Sequence, residues 1–360
     1  MGPDANLERF FREASEVFEQ AQARAGKIEH SFGLGAFHVR LRFAGPALVS
    51  GMVRALQHLP SPPPTKPDLT IRIWDSASTG TVMVSPPWPP DAYRQHGVVQ
   101  GLGDGRYQAV WQWYCYALHV LDLAANEALF WVRSGERVPP AEAGAPLRTI
   151  FQLWAATRGL VLVHAASVGR PDGGVLLVGK AGAGKSTSAL ACLRSPLFYL
   201  GDDICFVQNG DGAPIESLSL YSTGRTDTDG LGRLPFLAPW VANGKRPATE
   251  KALCFLHEHV AHKLLSKCPL RAILVVRRIS DEHSGWRPVS AGAVLAALAP
   301  STLLQFPAGS QGSLEKMAAL ARRVPGYHLD LGTRVEDIPE AIVDLLDHLP
   351  LEPLRAWPRE

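Results

Sequence analysis

The sequence predicts an α/β fold in the C-terminal part of the chain, preceded by a smaller α+β domain with an antiparallel sheet. The chain has 360 residues, more than one hydrophobic core usually serves, so two domains are expected. An apolar run at 175–178, a glycine-rich loop and a helix-compatible run at 187–193 follow one another directly. The first 140 residues instead combine one amphipathic helix with several short strand-like runs. We place the domains at 1–140 and 145–350.

The N-terminal domain opens with a predicted helix over residues 7–24, whose apolar side chains are spaced as one helical face. Strands are predicted at 36–43, 69–74, 107–114, 116–123 and 127–133, with a helix at 46–59. The section 75–105 is rich in Ser, Pro and Gly and is predicted to be a surface excursion. Trp111 and Trp113 share one strand face, and we expect core packing rather than a stacking platform.

The run Pro-Pro-Ala-Glu-Ala-Gly at 139–144 is the expected domain boundary. An amphipathic helix at 146–158 and a buried strand at 160–168 follow it. Beyond the glycine-rich loop, two short strands within 197–207 flank an acidic corner. The remaining predicted elements are strands at 214–221 and 270–276 and helices at 290–299, 313–323 and 337–348.

Composition excludes several classes of protein. A formal net charge of +2 gives no reason to expect nucleic acid as a partner. The five cysteines are scattered and form no C-x-x-C pair, so neither a disulfide framework nor a zinc knuckle is implied. The N-terminus lacks the pattern of a signal peptide, and no apolar run reaches the length of a membrane span. We therefore expect a cytoplasmic protein that does not bind a membrane.

The glycine-rich loop fits the phosphate-binding pattern G-x-x-x-x-G-K-[ST] at every fixed position. Its glycines let the backbone N–H groups point at phosphate oxygens, its lysine adds a positive charge, and its serine hydroxyl can hold Mg²⁺. A strand before the loop and a helix after it make a chance match improbable. The predicted nucleotide-binding residues are Gly179, Lys180, Ala181, Gly182, Ala183, Gly184, Lys185, Ser186 and Thr187.

The acidic corner Asp202-Asp203 lies 17 and 18 residues after the loop lysine, Lys185. Mg²⁺ bound to a nucleoside triphosphate needs one or two carboxylates, and a hydroxyl that accepts a phosphoryl group needs a carboxylate to take its proton. The pair can supply both. The alternative is a turn in which both aspartates cap backbone amides.

Two other classes of P-loop protein fit less well. Asp227 and Gly230 match the D-x-x-G of GTPases, but the chain has no N-K-x-D motif for guanine. The strand before Asp202 is interrupted by Gly201, which favours a small kinase over a motor ATPase. His164, at the end of the strand predicted beside the loop, has either a core role or a role near the phosphates.

These residues resemble a known family. The run at 164–167, the loop at 179–186 and the corner at 201–203 are similar, in order and spacing, to the catalytic core of the HPr kinase/phosphorylase family. The similarity covers about residues 158–208 and extends more loosely to HPr-kinase-like bacterial proteins, some of which phosphorylate ribosomal peptides. It implies a P-loop kinase domain of the HPr kinase C-terminal type, which uses ATP and Mg²⁺ and phosphorylates serine.

The resemblance also implies roles for individual residues. Asp203 would be the base, Asp202 would lie near the metal with Ser186, and His164 would position the phosphate or the acidic pair. Arg225, in a run similar to that of the HPr-kinase-like relatives, would stabilise the transferred charge, and Lys251 is a second candidate for that role. Thr187 stands where the HPr enzymes have Glu, and Glu216 is a weak match to their metal-binding Glu, so HPr itself and phosphorylase activity are not implied.

The sequence hypothesis is therefore an ATP- and Mg²⁺-dependent kinase that acts on a hydroxyl, serine first, of a peptide or protein. The N-terminal domain is assigned acceptor binding or regulation by elimination. The alternatives are a kinase for free serine or a sugar, and an ATP-dependent sensor or scaffold without catalysis. Residue patterns leave open the acceptor, ATP against GTP, which aspartate is the base, a reverse phosphorylase reaction, and the oligomeric state, homo-oligomers included.

Overall fold

The structure, a computed structural model, describes residues 3–63, 65–94, 97–100, 105–208, 214–305 and 312–350. Internal contacts divide the chain into two compact units, Met1–Arg158 and Gly159–Glu360. This division lies later in the chain than the expected boundary at 139–144. The predicted helix at 146–158 consequently belongs to the first unit, where Trp154 packs edge-to-face on Phe37 with ring centroids 5.3 Å apart.

The first unit consists of a six-stranded sheet with helices. Its helices are α1 (Pro3–Ala25), α2 (Val49–Val53), α3 (Ser76–Thr79) and α4 (Arg148–Ala156). Its strands are β1 (Lys27–Leu34), β2 (Phe37–Ala44), β3 (Leu69–Asp75), β4 (Tyr107–Gln112), β5 (Ala117–Asp122) and β6 (Glu127–Val132). The sequence pattern missed β1, and the helix predicted at 46–59 is the short α2 followed by a 3₁₀ turn at Arg54–Leu56.

The sheet of the first unit is mixed, so the prediction of an antiparallel sheet was wrong. Its order is β1-β2-β3-β6-β5-β4, in which β2 pairs with β3 and β3 pairs with β6 in parallel. The hairpins β1–β2, β4–β5 and β5–β6 are antiparallel. The long connections from β2 to β3 and from β3 to β4 each return the chain to the end of the sheet where the preceding strand began. Such returns produce parallel neighbours that no local pattern reports.

Helix α1 covers the sheet with the apolar face that the sequence predicted. Phe10 and Phe18 on this face are 3% and 0% exposed, and Phe18 packs edge-to-face on Trp74 of β3. Complete burial of one such side chain stabilises the fold by about 1.5–3 kcal/mol. Trp111 is half-buried as expected, but Trp113 is 56% exposed, so the core prediction was wrong for Trp113. It lies in the β4–β5 turn, beyond the last paired residue of the strand.

The second unit contains eleven strands among its described residues. They are β7 (Leu160–Val163), β8 (Ala166–Arg170), β9 (Gly173–Val178), β10 (Phe198–Gly201), β11 (Cys205–Gln208), β12 (Glu216–Leu218), β13 (Thr223–Thr226), β14 (Ala252–Phe255), β15 (Lys267–Arg278), β16 (Gly285–Val289) and β17 (Gly326–Leu331). Its helices are α5 (Lys185–Ala191), α6 (Thr228–Arg233), α7 (His257–Val260), α8 (Ala291–Gln305), α9 (Ser313–Arg323) and α10 (Asp337–His348). The three predicted C-terminal helices are confirmed.

The main sheet of this unit runs β10-β8-β9-β15-β12-β11-β7, and β17 and β16 extend it from β15. Strand β15 is parallel to both β9 and β17, while the other pairings are antiparallel. The single strand predicted at 160–168 is in fact two strands, β7 and β8, because the extended conformation is interrupted at His164 and Ala165. Strands β13 and β14 form a separate antiparallel pair.

Helices cover both faces of this sheet, as the apolar run of β9 requires. Val175 and Leu177 join one hydrophobic cluster with residues of α5 and α10, whereas Leu176 and Val178 join a second cluster with residues of α8 and α9. Successive side chains of a strand point to opposite faces, so β9 is buried on both sides. Among the described helices of the whole chain, none combines the length and apolar character of a membrane span.

Candidate active site

A cavity of about 170 Å³ lies in the second unit where β9 passes into the glycine-rich loop. It is lined by the loop, by the acidic corner and by polar side chains from other parts of this unit. The lining residues are His164, Ala181, Gly182, Ala183, Gly184, Lys185, Ser186, Thr187, Asp203, Arg225, Thr226, Asp227, Lys251, Arg278 and Gln305. Most of the predicted site residues therefore meet at one place, whereas Gly179, Lys180 and Asp202 lie outside this lining.

The loop folds back on itself through three glycines with positive φ. Gly179, Gly182 and Gly184 have φ of +145°, +76° and +110°, conformations that L side chains rarely adopt. The Lys185 side chain is buried by this loop, and its Nζ donates to the carbonyl oxygens of Gly179 at 2.8 Å and Lys180 at 3.3 Å. Burial lowers the pKa of Lys185, and the nearby carboxylates of the acidic corner oppose this effect.

The Asp202 side chain is buried directly behind the loop serine. Ser186 Oγ donates to Asp202 Oδ1 at 2.9 Å, and the backbone N–H of Asp203 donates to the same oxygen at 2.9 Å. Only 4% of Asp202 is exposed. Burial raises the pKa of Asp202, and the negative charge of Asp203 raises it further. A hydroxyl and a carboxylate oxygen at this separation form a donor set of the kind that Mg²⁺ binds.

Asp203 occupies a different environment from its neighbour. Its Oδ1 lies 3.2 Å from His164 Nε2, and its Oδ2 accepts a hydrogen bond of 3.4 Å from the Arg225 guanidinium. Burial opposes ionisation, but the hydrogen bond from His164 and the charge of Arg225 outweigh it and hold the pKa of Asp203 below its ordinary value. Asp203 has φ +70°, a strained backbone that turns its carboxylate into the cavity.

Strand pairing explains why His164 meets Asp203. The histidine lies between β7 and β8, and the acidic corner lies between β10 and β11. Strand β10 pairs with β8, and β11 pairs with β7, with Cys205 opposite Val163 and Gly201 opposite Ser167. The interruption between β7 and β8 therefore lies beside the interruption between β10 and β11, which brings His164 next to Asp203.

The small β13–β14 pair brings two cations to the cavity. Arg225 lies in β13 opposite Leu253, and Lys251 directly precedes β14. Tyr199 of β10 donates through its hydroxyl to the carbonyl of Thr223 at 2.7 Å, which ties β13 to the acidic corner. Both residues that the sequence offered as charge-stabilising candidates thus reach the site.

No protein-family model matches this chain. No curated protein matches it either. Among solved structures, the chain is similar to the Hpr(Ser) kinase/phosphatase from Coxiella burnetii, with 9% sequence identity and a TM-score of 0.28. The similarity covers 52% of this chain and 94% of that chain. A TM-score this low assigns no activity to the chain.

Four lining residues were not predicted as site residues: Thr226, Asp227, Arg278 and Gln305. Asp227 caps α6 by accepting from the backbone N–H of Gly230 at 2.8 Å, which accounts for the D-x-x-G match. Arg278 ends β15, whose parallel pairing with β9 brings it beside the loop. Gln305 ends α8. No sequence spacing links these residues to the loop, because each arrives by a long-range contact.

Glu216, the weak candidate for a metal ligand, lies outside the lining of this cavity. It belongs to β12 and forms an ion pair of 3.0 Å with Lys267 of β15. This pair joins neighbouring strands across the sheet and accounts for the presence of the carboxylate.

Proposed function

We propose that this chain is an ATP- and Mg²⁺-dependent kinase that transfers the γ-phosphoryl group to a hydroxyl, serine first, of a peptide or protein. The observation that carries the proposal is that the two aspartates of the acidic corner have different partners. Asp202 faces the loop hydroxyl of Ser186, whereas Asp203 faces the cavity between His164 and Arg225. A purely structural turn would direct both carboxylates to backbone amides, and only Asp202 accepts such bonds.

The residues present fit a nucleoside triphosphate with its metal. The turns at Gly179, Gly182 and Gly184 shape a loop whose backbone can approach phosphate closely, and Lys185 is already held inside that loop. The loop and Lys185 would hold the phosphates, and Ser186 with Asp202 would hold Mg²⁺. When bound, the nucleotide supplies the phosphoryl group, and the metal neutralises its charge.

Asp203 would accept the proton of the acceptor hydroxyl. Its lowered pKa keeps it ionised at neutral pH, and its carboxylate is turned into the cavity. His164 would hold the carboxylate in place through Nε2, and Arg225 with Lys251 would stabilise negative charge on the transferred group. Most of the rate enhancement would come from positioning and charge stabilisation, as is general for phosphoryl transfer. The first unit would bind or present the acceptor.

The test separates binding from transfer. Purified wild type and the Asp203→Asn and Lys185→Met variants are incubated with ATP, Mg²⁺ and pairs of peptides that differ only by Ser or Ala. Mass spectrometry then detects the gain of one phosphate, and calorimetry measures ATP binding. We expect phosphorylation of the Ser peptide by wild type, loss of transfer with retained binding in Asp203→Asn, and loss of binding in Lys185→Met.

Asp347→Asn is the matched control, because Asp347 is an exposed aspartate of α10 that pairs with Arg170, and both lie outside the lining of the cavity. Turnover of free serine or a sugar without any peptide product would favour a small-molecule kinase. ATP binding by wild type with no transfer to any acceptor, unchanged in Asp203→Asn, would favour a sensor or scaffold and would overturn the kinase proposal.

A further inference from the structure

One ring nitrogen of His164 has two polar neighbours. Asp203 Oδ1 lies 3.2 Å from His164 Nε2, and the carboxamide nitrogen of Gln305 lies 3.3 Å from the same atom. Gln305 also lines the cavity. A single nitrogen can either donate one hydrogen or accept one, so these two contacts restrict the tautomer of the ring.

The carboxylate of Asp203 decides between the two arrangements. An ionised carboxylate accepts hydrogen bonds and donates none. If Nε2 accepted a hydrogen bond from Gln305, the lone pair of Nε2 would face Asp203 Oδ1 at 3.2 Å. A hydrogen on Nε2 replaces this repulsion with a hydrogen bond to Asp203. His164 Nδ1 is buried and has no hydrogen-bond partner among the described residues in either tautomer, so it favours neither.

In that tautomer, Gln305 must present an acceptor. A half-turn of its carboxamide exchanges Oε1 and Nε2 in place, so the amide oxygen can lie against the Nε2–H of His164. Asp203 and Gln305 then both accept from the one Nε2–H of His164.

Helix α8 contacts His164 at a second point, its backbone. Thr302 lies one turn before Gln305, is 3% exposed, and accepts the backbone N–H of His164 with its Oγ1 at 3.1 Å. Leu298, a further turn back, is fully buried in the cluster beneath the sheet. The helix therefore fixes both the backbone of His164 and its ring.

We propose that Gln305 is a positioning residue that accepts a hydrogen bond from His164 Nε2–H and thereby orients His164 toward Asp203. This inference rests on the proposed kinase function for its catalytic consequence, but not for the tautomer it assigns. Gln305 acts on the acceptor hydroxyl only through His164 and Asp203. Loss of the contact lets the imidazole turn away and leaves Asp203 less well placed.

The tautomer is measured without any enzymatic activity. Protein with ¹⁵N-labelled histidine is studied by long-range ¹H–¹⁵N correlation spectroscopy, and the signal of His164 is assigned from its absence in His164→Gln. We expect the pattern of a ring with hydrogen on Nε2 and none on Nδ1. A signal that shows hydrogen on Nδ1 would overturn the proposal.

Substitutions at position 305 then separate acceptor from donor. Gln305→Glu keeps an acceptor oxygen, Gln305→Lys offers only a donor, and Gln305→Met offers neither at similar length. We expect kcat near that of wild type for Glu, and kcat lower by about tenfold to a hundredfold for Met and Lys. The KM for ATP should stay within about twofold in all three, because the loop is untouched.

Leu304→Ala is the control, because Leu304 is the preceding residue of α8 and is 76% exposed. A merely structural role for Gln305 would lower the melting temperature without separating Glu from Met. Equal loss of kcat in all three variants would overturn the proposal. If wild type phosphorylates no acceptor, the kinase proposal fails, and the spectroscopic result still confirms or overturns the assigned tautomer.

Discussion

Ser186 Oγ donates a hydrogen bond of 2.9 Å to Asp202 Oδ1, joining the first turn of α5 to the corner between β10 and β11. The serine comes from the loop that would hold phosphate, and the aspartate is 4% exposed. Because burial and the neighbouring Asp203 raise the pKa of Asp202, a divalent cation at this position would relieve an unfavourable charge environment.

The first prediction concerns this pair. Asp202→Asn keeps the size of the side chain but removes its charge, so we expect the Mg²⁺ concentration for half-maximal ATP binding to rise at least about tenfold, equivalent to 1.4 kcal/mol. Calorimetric titration of ATP at several Mg²⁺ concentrations measures the shift. Asp347→Asn should leave the dependence unchanged. An identical Mg²⁺ dependence in Asp202→Asn would exclude Asp202 as a ligand.

The second prediction concerns Arg225 and the pH dependence of transfer. The charge of Arg225 helps to hold the pKa of Asp203 low, so Arg225→Gln lets that pKa rise. Activity that needs ionised Asp203 is present above its pKa and is lost as the pH falls through it. We therefore expect the acid limb of the kcat profile to move to higher pH in Arg225→Gln, with kcat at neutral pH also reduced. Arg233→Gln, which changes an exposed arginine of α6, should leave the profile in place.

The third prediction compares three glycines. Gly184 has φ +110°, and an added Cβ would lie 2.5 Å from Leu331 Cδ1, whereas Gly182 has φ +76° and open space around it. Gly232 of α6 has open space and no positive φ. Alanine should therefore weaken ATP binding most at Gly184 and less at Gly182, where strain alone costs about 1–2 kcal/mol. At Gly232, alanine should leave binding unchanged.

Thermal unfolding and ATP calorimetry of the three alanine variants measure this order. Gly232→Ala is also expected to keep or slightly raise the melting temperature, because alanine favours a helix interior over glycine. Equal losses of ATP binding at Gly182 and Gly232 would contradict the importance of positive φ in the loop.

The fourth prediction concerns the stability of the first unit in acid. His119 of β5 is fully buried against Phe130, and neither ring nitrogen has a hydrogen-bond partner among the described residues. Burial, with a smaller contribution from the charge of Arg148, lowers its pKa from 6.5 to about 3. The folded state therefore favours neutral histidine, and this stabilisation is present above pH 6.5 and is lost as the pH falls toward 3.

At pH 5 this linkage costs about 2 kcal/mol of the free energy of unfolding relative to neutral pH. His119→Leu removes the titrating group, so its unfolding free energy should fall less between pH 7 and pH 5 than that of wild type. Chemical denaturation followed by circular dichroism at both values measures the difference. His283→Leu, which changes an exposed histidine, should retain the wild-type dependence. The same decline in wild type and His119→Leu would show that other groups govern acid sensitivity.

Features encoded in short stretches of the chain were predictable. The loop at 179–186, the corner at Asp202-Asp203 and the helices α9 and α10 follow from local spacing, because glycine turns and amphipathic periodicity act over a few residues. The face of α1 was predicted for the same reason. The roles given to the loop and corner residues remain predictions until binding and transfer are measured.

Long-range pairing decided the rest. The parallel pairings of β3, the break at His164 and the short pair β13–β14 depend on contacts between distant segments, which leave no local period in the sequence. The same contacts bring Arg278 and Gln305 to the cavity, and they turn Asp202 toward Ser186 but Asp203 toward His164. The sequence predicted two adjacent carboxylates, Asp202 and Asp203, close to the phosphate-binding loop. Only the pairing of β8 with β10 and of β7 with β11 gave each carboxylate its own partner. The strands paired on both sides of the corner set the directions of its side chains.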